Sequence, residues 1–340
     1  MSVERCASAG ISDSNWPLDR GQADRPLSGR GDTPSLGNAI MPSLLARGFG
    51  FFLRQTGSIT KSFSGGPGMA AVISAARALP LATPTDKQRS RVEVSCEEFA
   101  GRSIWCLRPR DAPPRGHLLY FHGGGYIFSA APPHWSALCE LVERHGIAVT
   151  APLYPLAPES GVEETTGWAL DYYRDFIAHH SAPFVLGGDS AGGGLATATA
   201  MAARDAGLQM PAGLLLICPW LDVTGSHPDQ AAIEPRDSIL RIRGIRDAGI
   251  LYRRTIPADD WRVSPIHGDW AGLPPVMAFG GGDDILVTDS RALQARLPDM
   301  IYDERDGLMH VWPLFFFSES KTARKNMADW IVAQNGQIAS

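Results

Sequence analysis

The sequence predicts an α/β protein whose mostly parallel, eight-stranded sheet is covered by helices on both faces. Three observations lead there. Short apolar runs of the buried-strand kind recur from residue 117 onward: "HLLYFH", "IAVTAPLY", "PFVLGG", "GLLLICP", "PVMAFG" and "DMIYDE". Segments with helical spacing separate them, and alternation of this kind builds a parallel sheet. A single hydroxyl, Ser190, sits among glycines in "GGDSAGGG", at the junction between one strand and the helical pattern after it.

Taken in order, residues 1–40 are rich in Ser, Gly, Asp, Arg and Pro without apolar periodicity, and read as a mobile arm. "AIMPSLLARGFGFFLRQ" and "MAAVISAARAL" have helical spacing, broken by "SGGPG", and give a helical segment over 41–90. The main domain follows over 91–340. It opens on a hairpin, because "RVEVSCEEF" and "SIWCLRP" alternate. Ser160 and Glu163 are placed as a capping box for a helix whose Ala169, Tyr172 and Phe176 share one face. Met327, Trp330 and Ile331 give the last helix a similar stripe. One insertion, about 224–262, interrupts the alternation. It is too long for an ordinary connection and, with the N-terminal helices, suits a cap over the C-terminal sheet edge where open α/β sheets bind ligands.

Composition excludes several classes. A net charge of −5 over 340 residues favours neither a nucleic acid nor an anionic membrane as partner. No apolar run reaches the ~18 residues of a membrane span. The five cysteines, at 6, 96, 106, 139 and 218, form no C-x-x-C pair, and the N-terminus has no apolar signal core. Reduced thiols in a cytoplasmic protein are the expectation.

Ser190 stands where a strand turns sharply into a helix, with Gly188 and Gly192 two residues to either side. Side chains at those flanks would collide as the helix approaches the strand. The turn forces the serine into a strained conformation that exposes Oγ, the arrangement known as the nucleophile elbow. The helix start leaves the Ala191 N–H free to face an oxyanion. A second cluster, "YFHGGGYIF", follows the strand ending at Phe121, and Gly123 and Gly124 supply two further amides for a developing negative oxygen. Such donors are worth ~3–4 kcal/mol each in acyl transfer. His122 reads as structural, holding the glycine loop.

A serine needs a base, and the order of parts in this architecture is Ser, acid, His. Of nine histidines only His227, His267 and His310 follow Ser190. His227 lies in the insertion, and His267 precedes the candidate acids. His310, after "MIYDE", is the base. Asp283 and Asp284 end the preceding strand, and spacing barely separates them. Asp289 lies near a helix start, where a carboxylate serves the macrodipole.

These residues, with "HGGGY" at 122–126, "YPLAPE" at 154–159, "GGDSAGG" at 187–193, "CPWLD" at 218–222, "DDIL" at 283–286 and "DGLMHVW" at 306–312, resemble the hormone-sensitive-lipase-like (GDXG) family of α/β-hydrolase esterases. The resemblance is nearest to its bacterial acetyl esterase and monoterpene ε-lactone hydrolase branch. It implies an α/β-hydrolase fold with a helical cap, Asp284 as the acid, oxyanion donors at Gly123, Gly124 and Ala191, and no metal or organic cofactor. It also implies a small-molecule ester as substrate and a possible homodimer. Tyr126, Trp220 and Trp312 are candidate pocket aromatics. The segment "SGVEETTGWAL" after "LAPE" departs from the family's Pro- and Phe-rich pattern, which leaves the substrate open.

The expected activity is hydrolysis of short- to medium-acyl esters. The same three groups would open a lactone or remove an N-acetyl group. A non-catalytic small-molecule receptor is a further alternative, and retention of His310 argues against it. "GPGMAA" at 66–71 matches a dinucleotide fingerprint in letters only, since no buried strand precedes it.

Overall fold

Residues 41–337 are described by a computed structural model, and the arm expected over 1–40 lies outside them. Two helices come first, α1 (Leu44–Thr56) and α2 (Met69–Arg77), then the short α3 (Asp86–Arg89). Ser43 caps α1 through its side chain, and Gly57 ends it in the left-handed conformation.

The hairpin follows as β1 (Glu93–Phe99) and β2 (Arg102–Arg108). The alternating part is β3 (Gly116–Phe121), α4 (Pro132–His145), β4 (Ile147–Pro152), α5 (Val162–His179), β5 (Val185–Asp189), α6 (Ala191–Asp205) and β6 (Gly213–Ile217). The insertion contributes α7 (Gln230–Ile233) and α8 (Ile242–Arg253). β7 (Val276–Asp283), α9 (Val287–Arg296), β8 (Ile301–Met309) and α10 (Ser318–Gln337) complete the chain.

The eight strands form one sheet in the order β1-β2-β4-β3-β5-β6-β7-β8. β1–β2 and β2–β4 pair antiparallel, and the other pairs are parallel. Strands β4, β5 and β6 are buried along their whole length, which is why they read as continuous apolar runs rather than alternating ones. Ala169, Tyr172 and Phe176 of α5 and Met327, Trp330 and Ile331 of α10 are buried, as their spacing requires. The cap of α5 differs from expectation by one residue. Gly161 is the N-cap, and its N–H donates to Glu164 Oε2 at 2.8 Å, so neither Ser160 nor Glu163 forms the box. Among the described residues no helix is long and apolar enough to cross a membrane.

Candidate active site

Ser190 is the residue between β5 and α6, with φ 53° and ψ −124°. That region is costly for a side-chain-bearing residue, and it persists because both neighbours are fixed. The Ser190 N–H donates to Ile217 O on β6, and its carbonyl accepts the Trp220 N–H, both at 2.9 Å. The flanking glycines admit no methyl group. A Cβ at Gly192 would fall on the carbonyl oxygens of Phe121 and His122, and one at Gly188 on the backbone of Gly192.

His310 follows β8, and Asp284 lies just past β7. The β7–β8 pairing slips in register between Gly281 and Asp283, an irregularity that re-aims the chain as it leaves the sheet. His310 Nε2 lies 3.0 Å from Ser190 Oγ, and Nδ1 lies 2.8 Å from Asp284 Oδ2. Asp284 accepts on Nδ1, so that nitrogen carries the proton and Nε2 is free to receive one from the serine. All three side chains are buried. Burial alone would lower the His310 pKa. The Asp284 carboxylate, and then Asp237 and Asp189, outweigh it and leave the imidazole more basic than usual. Activity that requires neutral His310 is therefore lost on the acid side from above the ordinary histidine pKa. A kcat/KM profile whose acid limb lies above pH ~6.5 is the expected result, and a limb below that value would contradict this electrostatic reading.

Asp283 takes the other direction, toward Arg236 Nε at 2.9 Å, which separates the two neighbouring carboxylates that spacing left open. Asp289 stands in the first turn of α9, as expected, and its carboxylate also reaches beyond the helix. Its Oδ2 accepts the N–H groups of Leu221 at 2.8 Å and Asp222 at 2.9 Å, tying α9 to the loop after β6. Burial pushes this carboxyl up to about 7 against those two amides.

The glycine loop departs from expectation at Gly123. Its N–H donates to Asp189 Oδ1 at 2.8 Å, so this amide is committed to a buried carboxylate. Gly124 and Gly125 line the cavity in front of Ser190 instead. The Gly124 and Ala191 N–H groups have no hydrogen-bond acceptor among the described residues. Asp189 is a site residue that sequence reasoning missed. It also accepts from Tyr120 Oη at 2.6 Å and lies 3.3 Å from His134 Nε2. Burial would raise its pKa, but His134 and these hydrogen bonds hold it below the usual carboxylate range. The signal was available, since an acidic residue closes a strand that is otherwise apolar or glycine. His122 holds the loop as expected, with Nδ1 2.6 Å from Gly123 O and its ring stacked on Tyr154 at 4.4 Å. Burial lowers its pKa to about 4, so it is neutral.

Of the three candidate pocket aromatics, Trp220 lines the cavity. Tyr126 and Trp312 do not. Tyr126, at φ 61°, turns its ring onto Tyr252 of α8, with centroids 3.6 Å apart. Trp312 is buried beneath β7, where Nε1 donates to Gly280 O at 3.0 Å. The cavity measures about 580 Å³ and lies between the sheet edge, α2, the turn before it and the insertion. Phe63, Val72, Leu79, Phe128 and Leu240 give it apolar walls, and among the described residues no lysine or arginine lines it. The candidate metal-ligand cluster among the described residues is Cys218, Asp284 and His310, whose ligand atoms lie within 4.8 Å of one another. The hydrogen bond from His310 Nδ1 to Asp284 already engages two of the three.

A serine oxygen, an imidazole and a carboxylate in series, at the C-terminal edge of a mostly parallel sheet, define a hydrolase of the α/β type. Comparison with known proteins agrees. The α/β-hydrolase-fold family model matches residues 118–313, more than half of the chain. The chain belongs to that family, within its hormone-sensitive-lipase-like esterases. It is similar to an acetyl-hydrolase of Streptomyces hygroscopicus, 34% identical over 57% of this chain and 67% of the relative. An ethyl acetate hydrolase of Pseudomonas putida is 30% identical over 62% of this chain and 77% of its own length. Among solved structures, an esterase of the bacterial hormone-sensitive lipase family superposes with a TM-score of 0.69 at 26% identity, covering 77% of this chain and 95% of that one.

Proposed function

We propose that this protein hydrolyses uncharged carboxylic esters of short to medium acyl chain through an acyl-enzyme on Ser190. Ser190 Oγ attacks the ester carbonyl carbon as its proton passes to His310 Nε2. The carbonyl oxygen becomes an oxyanion held by the Gly124 and Ala191 amides. Asp284 keeps the imidazole oriented and balances its positive charge. Collapse of the tetrahedral intermediate breaks the bond to the leaving oxygen, which takes the proton from His310 and departs as the alcohol. A water then gives one proton to His310 and adds to the acyl carbon. The second collapse returns the proton to Ser190 and frees the acid.

The observation that carries this reading is the 3.0 Å approach of His310 Nε2 to Ser190 Oγ, with both residues facing the apolar cavity. The cavity chemistry supports the substrate class. Walls that carry no lysine or arginine among the described residues offer no ion pair to an anionic acyl group, and each methylene buried there contributes ~0.8 kcal/mol, about fourfold in kcat/KM. That gain stops once the space is filled. A series of p-nitrophenyl esters from acetate to palmitate is expected to peak between butyrate and octanoate, with palmitate at least ~10-fold below the peak. An acetamide turned over faster than the matched acetate ester would overturn the assignment.

A further inference from the structure

The insertion contributes a carboxylate to the back of the site. Asp237 lies between α7 and α8 and is fully buried. Its Oδ1 accepts the N–H groups of Ile239 and Leu240, both at 2.8 Å, and its Oδ2 accepts the Ile285 N–H at 2.9 Å. Ile285 is the residue after Asp284, and Asp284 Oδ1 accepts the next amide, Leu286, at 2.8 Å. Two carboxylates therefore hold two successive amides of one short loop, and one of the two comes from the insertion.

Among the described residues no lysine or arginine forms an ion pair with the Asp237 carboxylate: the adjacent Arg236 turns out to Asp283, and Arg241 Nη1 donates to the Asp237 backbone carbonyl at 2.8 Å. The titratable groups facing Asp237 are Asp284 and His310, and the buried Cys218 thiol faces Asp284 from the end of β6. Burial and then the Asp284 charge raise the Asp237 pKa, while the Ile285 and Leu240 amides and His310 favour its ionised form. The same segment is pinned from the N-terminal side by Thr60 Oγ1, which donates to Ser238 O at 2.8 Å. Ile239 and Leu240 themselves line the cavity. A residue needed for packing alone would not place a carboxylate behind a second carboxylate without a cation.

We propose that Asp237 is a positioning residue: it fixes the register of the Asp284 loop and sets a second negative charge behind the Asp284–His310 pair, so that the imidazolium formed during proton transfer is stabilised from both. This role rests on the proposed function of Ser190 and His310.

The test uses Asp237→Asn and Asp237→Ser, both uncharged and both able to accept from the Ile239 and Leu240 amides. Rates on p-nitrophenyl butyrate are normalised to the Ser190 that a fluorophosphonate labels. The expected result is a kcat lowered ~10-fold or more with KM within about twofold of wild type. The acid limb of kcat/KM moves to lower pH by ~0.5 unit or more, because loss of a nearby anion makes the imidazole less basic. Folded variants with an unmoved acid limb overturn the proposal, whatever their rate. Failure of both variants to fold also overturns it, since Asp237 would then serve folding alone. A Ser190→Ala protein measured alongside separates the two readings: if that variant retains wild-type turnover, the proposed function fails first and independently of Asp237.

Discussion

Ser190→Ala is expected to lower kcat/KM on p-nitrophenyl butyrate by about 10⁴- to 10⁶-fold while leaving the fold intact. The loss is large because, in the proposed mechanism, the removed oxygen forms the bond to the acyl carbon. His310 and Asp284 remain but have no nucleophile to serve. The residual rate comes from the amide donors and binding alone. Stability is a separate readout. Alanine inherits the φ of 53° and its cost, so the melting temperature should stay close to that of wild type. Ser190→Gly removes the cost. The conformation is worth ~1–3 kcal/mol of strain, and glycine returns ~0.5–1 kcal/mol through its greater freedom when unfolded. A net gain of ~1 kcal/mol, a rise of about 2 °C, is the expected difference from the alanine variant. A glycine variant that melts below the alanine variant would show that the turn stores no strain at Ser190.

Gly192→Ala is expected to abolish folded protein, or to lower its melting temperature by at least ~10 °C, a loss of more than ~4 kcal/mol. The methyl group would meet the carbonyl oxygens of Phe121 and His122. Neither can yield cheaply. Phe121 is paired in the sheet with Gly188, and the His122 carbonyl accepts the Tyr154 hydroxyl at 2.7 Å. A control within the same molecule is Gly167→Ala in α5, where nothing lies within 4 Å of the added methyl. That change should stabilise by ~0.5–1 kcal/mol through helix propensity. Circular dichroism melts of the two variants check the pair. Equal melting temperatures would refute the claim that contact at the turn, rather than glycine content, limits this position.

The central strands were legible because burial on both faces leaves mostly apolar residues, as in "GLLLI" and "IAVTAP", whereas the hairpin was legible from its alternation. The helix faces were legible from period. Ser190 and its glycines were legible because a steric demand so tight leaves a mark on composition. What escaped were contacts whose partners are far apart in the chain and carry no period. Gly123 and Asp189 are 66 residues apart, and a glycine amide shows nothing in the sequence of which acceptor it meets. Asp237 reads as one polar residue in an irregular insertion, 48 residues from the amide it holds. Tyr126 and Trp312 are aromatic residues beside motif residues, and proximity in sequence suggested the cavity. The positive φ at Tyr126 and the Gly280 carbonyl beneath Trp312 send both rings elsewhere. Spacing did not separate Asp283 from Asp284; the resemblance pointed to Asp284, and the β7–β8 slip and the Arg236 pairing of Asp283 supply the physical reason.

The stack of Tyr126 on Tyr252 has a consequence for anyone wishing to retune this enzyme. Tyr252 belongs to α8, yet its ring rests on the residue that follows the three loop glycines. The covering segment is therefore not a detachable module. Transplanting the equivalent stretch from a homologue to reshape the cavity would carry off a floor tile along with the roof. Such chimaeras should succeed only when position 126 is redesigned in the same step, and single substitutions on the cavity side of α8 are the safer route.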